Sequence, residues 1–271
     1  MLSWVDGQPA AQLSVLDRGL AYGDGLFETI AVRGGRPRLL ARHLARLADG
    51  LRRLSLPLDL GELERELLAF CAELGEGVAK LLVTRGEGAR GYALPQPTQP
   101  RRILLASPMP VYPVEHAERG VRLFPCATHL AEQPLLAGLK HLNRLEQVLA
   151  RSEWQDPAYA EGLMCDGAGR VIEGVYSNLF LVKDGRLLTA DLSRCGVAGV
   201  MRAEVLEQAA ALGIAVQVGD ISRADLLGAD EVFLCNSLYG IWPVRELQGH
   251  DWSVGPLTRK LQGIIRSLLD S

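Results

Sequence analysis

The apolar positions of the chain change period several times, and each change predicts an element. Leu40, Leu44, Leu47, Leu51 and Leu54 fall on one stripe at helical spacing and predict a helix over 39–54. Arg42, His43 and Arg46 lie beside or opposite that stripe, and Pro57 is the stop. Leu63, Leu67, Phe70 and Leu74 predict a second helix over 60–74. Runs rich in apolar and β-branched residues predict strands at 4–5, 26–32, 78–84 and 103–106. Pro108, Pro110 and Pro113 then make a stiff, extended stretch with few backbone donors. Beyond it, strands are predicted at 121–124, 163–165, 171–172, 179–182, 186–188, 216–218 and 232–235, with hairpin turns at 166–169 and 183–185. Helices are predicted over 142–154, from Val200 onward, as a short segment capped by Ser222 with Asp225 in its first turn, and over 257–269.

This order describes mixed α and β structure in two lobes. A small N-terminal α+β domain at 1–107 is expected, then an interdomain linker at 108–113 and a larger C-terminal α/β domain at 114–271. With 271 residues, 48% of them hydrophobic and 23% charged, the composition is that of an ordinary globular chain. A net charge of −3 gives no bulk attraction to nucleic acid, so no nucleic-acid partner is expected. No run of about 18 apolar residues exists to span a membrane, and the N-terminal residues do not read as a signal peptide. Cys71, Cys126, Cys165, Cys195 and Cys235 are odd in number and irregularly spaced. They read as reduced thiols of a cytoplasmic protein rather than disulfides or a zinc site, so no metal is expected.

The candidate chemistry begins with a scarcity. Of 29 Lys and Arg residues only Lys80, Lys140, Lys183 and Lys260 are lysine. Lys140 follows Leu135, Leu136, Ala137 and Leu139, just ahead of the apolar pattern at Leu142, Leu145, Val148 and Leu149. Desolvation there would lower its pKa and free its amine for Schiff-base chemistry. Three other features suit an anionic, nitrogen-containing ring cofactor. Arg46 on the first helix is a forked phosphate ligand. The loop 196–201, running through Val200 and Met201 into a helix, offers small residues and backbone N–H groups to an anion. Glu173, before Gly174-Val175-Tyr176-Ser177-Asn178, could keep a pyridine nitrogen protonated so that the ring accepts electrons. Taken singly, each has an ordinary explanation: a snorkelling lysine, a surface arginine, a plain helix start, a solvated turn carboxylate. Their co-occurrence carries the argument.

The run Asp17-Arg-Gly-Leu-Ala-Tyr-Gly-Asp-Gly-Leu-Phe-Glu28, the segment His43-Leu-Ala-Arg-Leu47 and the segment Val171-Ile-Glu-Gly174 with Ser177-Asn178 together resemble the fold-type IV pyridoxal-phosphate enzymes. The resemblance covers nearly the whole chain. It implies pyridoxal 5'-phosphate as cofactor and a mixed, partly barrel-like sheet in the larger lobe. It also implies Lys140 as catalytic lysine, and Arg46, Glu173, Asn178, Val200, Met201 and Ser237 as further cofactor-binding residues. Gly138-Leu-Lys-His-Leu-Asn-Arg-Leu-Glu-Gln-Val-Leu149, Arg85-Gly-Glu-Gly-Ala-Arg-Gly-Tyr92, Gly199-Val-Met-Arg202 and Cys235-Asn-Ser-Leu238 are similar to the branch that cleaves 4-amino-4-deoxychorismate to 4-aminobenzoate and pyruvate. That similarity implies Tyr22, Phe27, Arg90 and Tyr92 as substrate-binding residues. Tyr92 stands where the related D-amino-acid aminotransferases have a histidine, and Arg85 and Arg122 are alternative carboxylate ligands. The family also implies a homodimer in which the loop 85–92 serves the partner's site. An aminotransferase for D-amino or branched-chain acids is the alternative, and a catalytically silent cofactor-binding or dimeric scaffold protein a more distant one.

Overall fold

The computed structural model describes residues 2–270. The chain forms two compact units: one runs to Pro110 and includes Leu139–Asn143, and the other comprises Val111–Gly138 and the chain from Arg144 onward.

In the first unit six strands form one antiparallel sheet. Their spatial order is Gln8–Pro9, Ser3–Val5, Arg101–Ser107, Gly77–Thr84, Gly25–Arg33 and Arg36–Pro37. Along Gly25–Arg33 the buried positions include Leu26, Glu28, Ile30 and Val32, the period of two that puts alternate side chains on one face. Two helices, Leu40–Arg53 and Leu60–Leu74, pack on this sheet. The second starts at Asp59, whose side chain accepts from the N–H groups of Gly61 and Glu62. It buries Leu63, Leu67, Phe70 and Cys71, with Phe70 edge-on to Trp4 at 5.5 Å. The first buries Leu47 and Leu51 as expected and also His43, which the apolar stripe alone had left outside the core. A helix buries an arc wider than one row of leucines, and His43 lies within it because a strand carboxylate receives its ring.

Among the described residues the second unit carries nine strands in a mixed sheet, six of which close into a barrel. The closed path runs Asn178–Lys183, Glu231–Asn236, Gly240–Leu247, Val121–Pro125, Tyr159–Cys165, Val171–Gly174 and back to Asn178, which pairs with Glu173. Past that pair, Asn178–Lys183 turns the same edge to Arg186–Ala190, and Val216–Gly219 continues the sheet outward. Leu123, Met164, Leu179, Leu234, Trp242 and Val244 belong to its core. Helices Val200–Ala211 and Pro256–Asp270 pack on each other and on the sheet. Among the described residues no helix is long and apolar enough to cross a membrane.

Two expectations are corrected by the structure. The helix expected over 142–154 is confined to Leu145–Ser152, and its Leu145, Val148 and Leu149 are exposed rather than core-facing. Residues 139–143 belong to the first unit because their backbone pairs with the strand Gly25–Arg33: Lys140 O accepts from Phe27 N at 2.9 Å, Leu142 N donates to Gly25 O at 3.0 Å, and His141 bridges Leu26. The strand Gly240–Leu247, central to the barrel, lies in a stretch where no element was expected. Its Pro243 and Gly240 interrupt the apolar run that would have marked it.

The helix phase is open to direct test. Leu67→Ala, at a wholly buried position, should cost about 2–5 kcal/mol in denaturant unfolding. Leu68→Ala, at the exposed neighbour, should stay within about 0.5 kcal/mol.

Candidate active site

In the first unit the chemistry gathers on Gly25–Arg33. Glu28 occupies an otherwise apolar face of this strand and is 1% exposed. Such a carboxylate needs donors, and the helix Leu40–Arg53 supplies two of them one turn apart. His43 Nδ1 lies 2.6 Å from Glu28 Oε2, Arg46 Nε donates to Glu28 Oε1 at 2.8 Å, and Arg46 Nη2 donates to Oε2. Burial alone would raise the Glu28 pKa. The hydrogen bonds of Arg46 and His43, with the Arg46 charge, outweigh it and hold the carboxyl at about 2. Burial lowers the His43 pKa against the pull of Glu28, with the charges of Arg46 and Lys140 adding to the lowering. The imidazole is therefore neutral, its Nδ1–H donating to Glu28 and its buried Nε2 left as an acceptor with no hydrogen-bond partner among the described residues. On the adjacent segment the Lys140 ammonium stands 4.4 Å from the centre of the Phe27 ring, which also faces Lys80 at 5.4 Å. Phe27, Arg46 and Lys140 thus belong to one neighbourhood. Glu28 and His43 join it without having been expected. The alternation Leu26, Glu28, Ile30, Val32 was the sequence signal that could have found Glu28.

The loop after Gly77–Thr84 divides its two arginines. Arg85 is buried and committed: it donates to Asp24 Oδ2 at 2.8 Å and to the carbonyls of Leu54 and Ser55. Arg90 is exposed. Tyr22 and Tyr92 approach at 5.5 Å, and the Tyr22 hydroxyl accepts from Gly91 N at 3.1 Å. Arg18 lies over the Tyr22 ring and donates to Gly91 O, so the loop is tied at Gly91 to the helix Arg18–Tyr22. Arg122, the other alternative ligand, belongs to the second unit and pairs with Glu246.

In the second unit Glu173 and Asn178 face each other where the barrel closes. Glu173 Oε2 accepts from Val197 N at 2.9 Å and from Asn178 Nδ2 at 3.3 Å, while Asn178 Nδ2 also donates to Val197 O at 2.9 Å. Asn178 therefore ties the carboxylate to the loop before the helix Val200–Ala211. Its amide oxygen fills the space at Gly199, where an added Cβ would lie 1.9 Å from it. Gly199 is the N-cap of that helix and makes no side-chain cap hydrogen bond, so the positive end of the helix starts at Val200 and Met201 without a capping side chain. Ser237 follows two residues after Cys235, which is paired with Asn178 across the sheet. Two half-buried arginines, unexpected from sequence, bear on Glu173. Burial lowers the pKa of Arg144 and of Arg202 while the Glu173 charge opposes it. The loop also reaches the lysine segment: Gly138, two residues before Lys140, donates to Gly196 O and accepts from Ala198 N.

Residues 25–247 match the Amino-transferase class IV family. An aminodeoxychorismate lyase of Vibrio harveyi is 39% identical over 266 residues, which are 96% of this chain and 98% of that protein. The crystal structure of 4-amino-4-deoxychorismate lyase from Pseudomonas aeruginosa is 68% identical, superposes with a TM-score of 0.98 and covers 100% of both chains. A branched-chain aminotransferase from the thermophilic archaeon Thermoproteus uzoniensis, solved with norvaline, is 26% identical, with a TM-score of 0.88 and coverage of 100% of this chain and 95% of that one.

The Glu28 cluster makes a prediction about acid. The folded carboxyl titrates near 2 against an ordinary 4.5, so its pairing stabilises the fold fully above pH 4.5 and is lost as the pH falls through 2. Glu28→Gln should lower stability at neutral pH by about 3–5 kcal/mol, the cost of breaking a buried pair. It should also flatten the decline between pH 4.5 and 2 in a series of denaturant titrations.

Proposed function

The chain belongs to the Amino-transferase class IV family, and from that premise we propose that it is a pyridoxal-phosphate lyase converting 4-amino-4-deoxychorismate to 4-aminobenzoate and pyruvate. The observation that carries the cofactor is the pairing of a donor-held carboxylate, Glu173, with the uncapped helix start at Gly199. A protonated ring nitrogen and a phosphate are the groups that such a pair would take. The likeness to two lyases over nearly their whole length favours this reaction over transamination.

When bound, the cofactor supplies a protonated pyridine ring that accepts electrons. Lys140 would be the covalent anchor, and Glu173, oriented by Asn178 and the Val197 N–H, would keep the ring nitrogen protonated. The residues that would hold its phosphate are Val200 and Met201 at the helix start, Ser237 and Arg46. Glu28 pre-sets the Arg46 fork, so little side-chain freedom remains to be lost on binding. The Lys140 amine would act as the base on the carbon that bears the substrate's amine. As the proton leaves, the neighbouring carbon–oxygen bond breaks, enolpyruvate departs to become pyruvate, and the six-membered ring becomes aromatic. Tyr22, Phe27 and Tyr92 offer aromatic surface to that ring, and Arg90 offers a guanidinium to a carboxylate. Free cysteines, three of them buried, suit a cytoplasmic setting.

The same reading makes the protein a homodimer. Leu145, Val148 and Leu149 form an apolar face on one helix that is exposed in the single chain, and Leu135 adds to the exposed apolar surface. A two-fold interface would cover such surface and make any exchange of loops reciprocal.

Lys140→Ala should abolish formation of 4-aminobenzoate and pyruvate from aminodeoxychorismate and remove the cofactor's lysine-bound absorbance, with the melting transition of the fold retained. Borohydride labelling of Lys80, Lys183 or Lys260 in the parent protein would refute the assignment. For the dimer, Lys140→Ala and Arg90→Ala chains mixed under subunit exchange should regain activity, because one site of each mixed dimer is intact when Arg90 serves its partner. Proven exchange without recovery, or a monomer in sedimentation, would refute the shared site.

A further inference from the structure

Glu161 has no part in the chemistry above, yet it is wholly enclosed in the second unit, with 0% exposure. It projects from the strand Tyr159–Cys165 and faces no cation within bonding distance among the described residues. Instead four donors converge on it. Gly162 N and Val175 N donate to Oε1 at 2.9 and 3.0 Å. Tyr176 N and the Ser177 hydroxyl donate to Oε2 at 3.3 and 2.7 Å. Three of these four come from one turn, Gly174-Val175-Tyr176-Ser177. That turn is the whole of the chain between Glu173 and Asn178.

The turn needs this carboxylate. Its Gly174 N bonds to Ser177 O at 2.7 Å, which closes the turn but leaves the next two N–H groups pointing inward. Val175 N has a second acceptor in Gly162 O at 3.1 Å. Tyr176 N and the Ser177 hydroxyl have Glu161 Oε2. A buried donor without a partner is costly, and one carboxylate offers enough lone pairs for all of them. The fit is tight: a Cβ at Gly174 would lie 2.3 Å from Ser177 Oγ and 3.0 Å from Glu161 Cδ. Burial raises the Glu161 pKa, and the Ser177 hydroxyl with the N–H groups of Gly162, Tyr176 and Val175 pull it back toward the ionised form that accepts from all four.

We infer that Glu161 is the positioning residue for the Glu173–Asn178 pair, acting through the turn that joins them. The inference rests on the reading of Glu173 as the partner of a pyridine nitrogen. A shift of the turn at Tyr176–Ser177 moves Asn178. With it go the 3.3 Å contact to Glu173 and the 2.9 Å contact to Val197 O, the two bonds that orient the carboxylate and the anion loop.

The test compares wild type, Glu161→Gln and Ser177→Ala, each with and without pyridoxal 5'-phosphate. Glu161→Gln keeps the volume but sets an N–H against Tyr176 N–H. Without cofactor, amide exchange at residues 174–177 should speed up in Glu161→Gln while the rest of the barrel keeps its protection. With cofactor, the pH midpoint of the bound chromophore should shift by about half a unit. For the lyase reaction kcat should fall about tenfold with KM changed by less than about twofold. Ser177→Ala should move all three readouts in the same direction by less, and it decides the matter where Glu161→Gln does not fold. An unchanged midpoint and kcat would overturn the inference, as would loss of protection spread evenly over the barrel. A wild-type protein that binds no pyridoxal phosphate would instead overturn the proposed function on which it rests.

Discussion

The barrel of the second unit closes where Asn178 meets Glu173, and that pairing organises the candidate residues of this unit. The strand carrying Asn178 shares one edge between Val171–Gly174 and Arg186–Ala190, so its first residue alone makes the closing contact. Having made it, Asn178 spends its amide on the neighbours: nitrogen to Glu173 and Val197 O, oxygen into the space that Gly199 leaves open. A carboxylate, a small-residue loop and a helix start are thereby fixed relative to one another by one short side chain. Asn is stiff enough for the task because it has two rotatable bonds and both ends of its amide are occupied.

The first unit uses a buried carboxylate in the same spirit. For Glu28 the contest lies between desolvation, which favours the neutral acid, and a bidentate guanidinium with an imidazole N–H, which favours the anion. The donors win, and the carboxyl stays ionised far below neutrality. The energy of that arrangement is of a different order from the surface pair Arg52–Asp49, where solvent screening leaves about 0–1 kcal/mol. Its consequence is preorganisation. Arg46 and His43 are each held in one orientation by the same carboxylate.

Glu161 shows the third use of a buried acid, as an acceptor for backbone donors that a tight turn turns inward. In all three places the carboxylate is retained for geometry. Each fixes a neighbouring segment whose orientation matters, and none could be replaced by an apolar residue without leaving donors unpaired.

What the sequence determined by itself was local. A stripe of leucines at 40, 44, 47, 51 and 54 makes a helix wherever it is placed, because its spacing matches 3.6 residues per turn, and Ser222 with Asp225 forms its capping box from neighbouring atoms alone. Lys140 and Glu173 could be singled out only together, since a lysine in apolar surroundings and a carboxylate after a strand each have an ordinary explanation when taken singly. Tertiary structure decided whatever depends on partners distant in the chain. It sent residues 139–143 into pairing with Gly25–Arg33, although their apolar pattern continues into a helix. It left Leu145, Val148 and Leu149 exposed, because a stripe records that a face is apolar and not what covers it. It gave Glu28 a histidine 15 residues away and Glu161 a turn 14 residues away. Periodicity encodes the conformation of a segment, whereas the charge state and role of a buried side chain are set by whichever donors the folded chain brings to it.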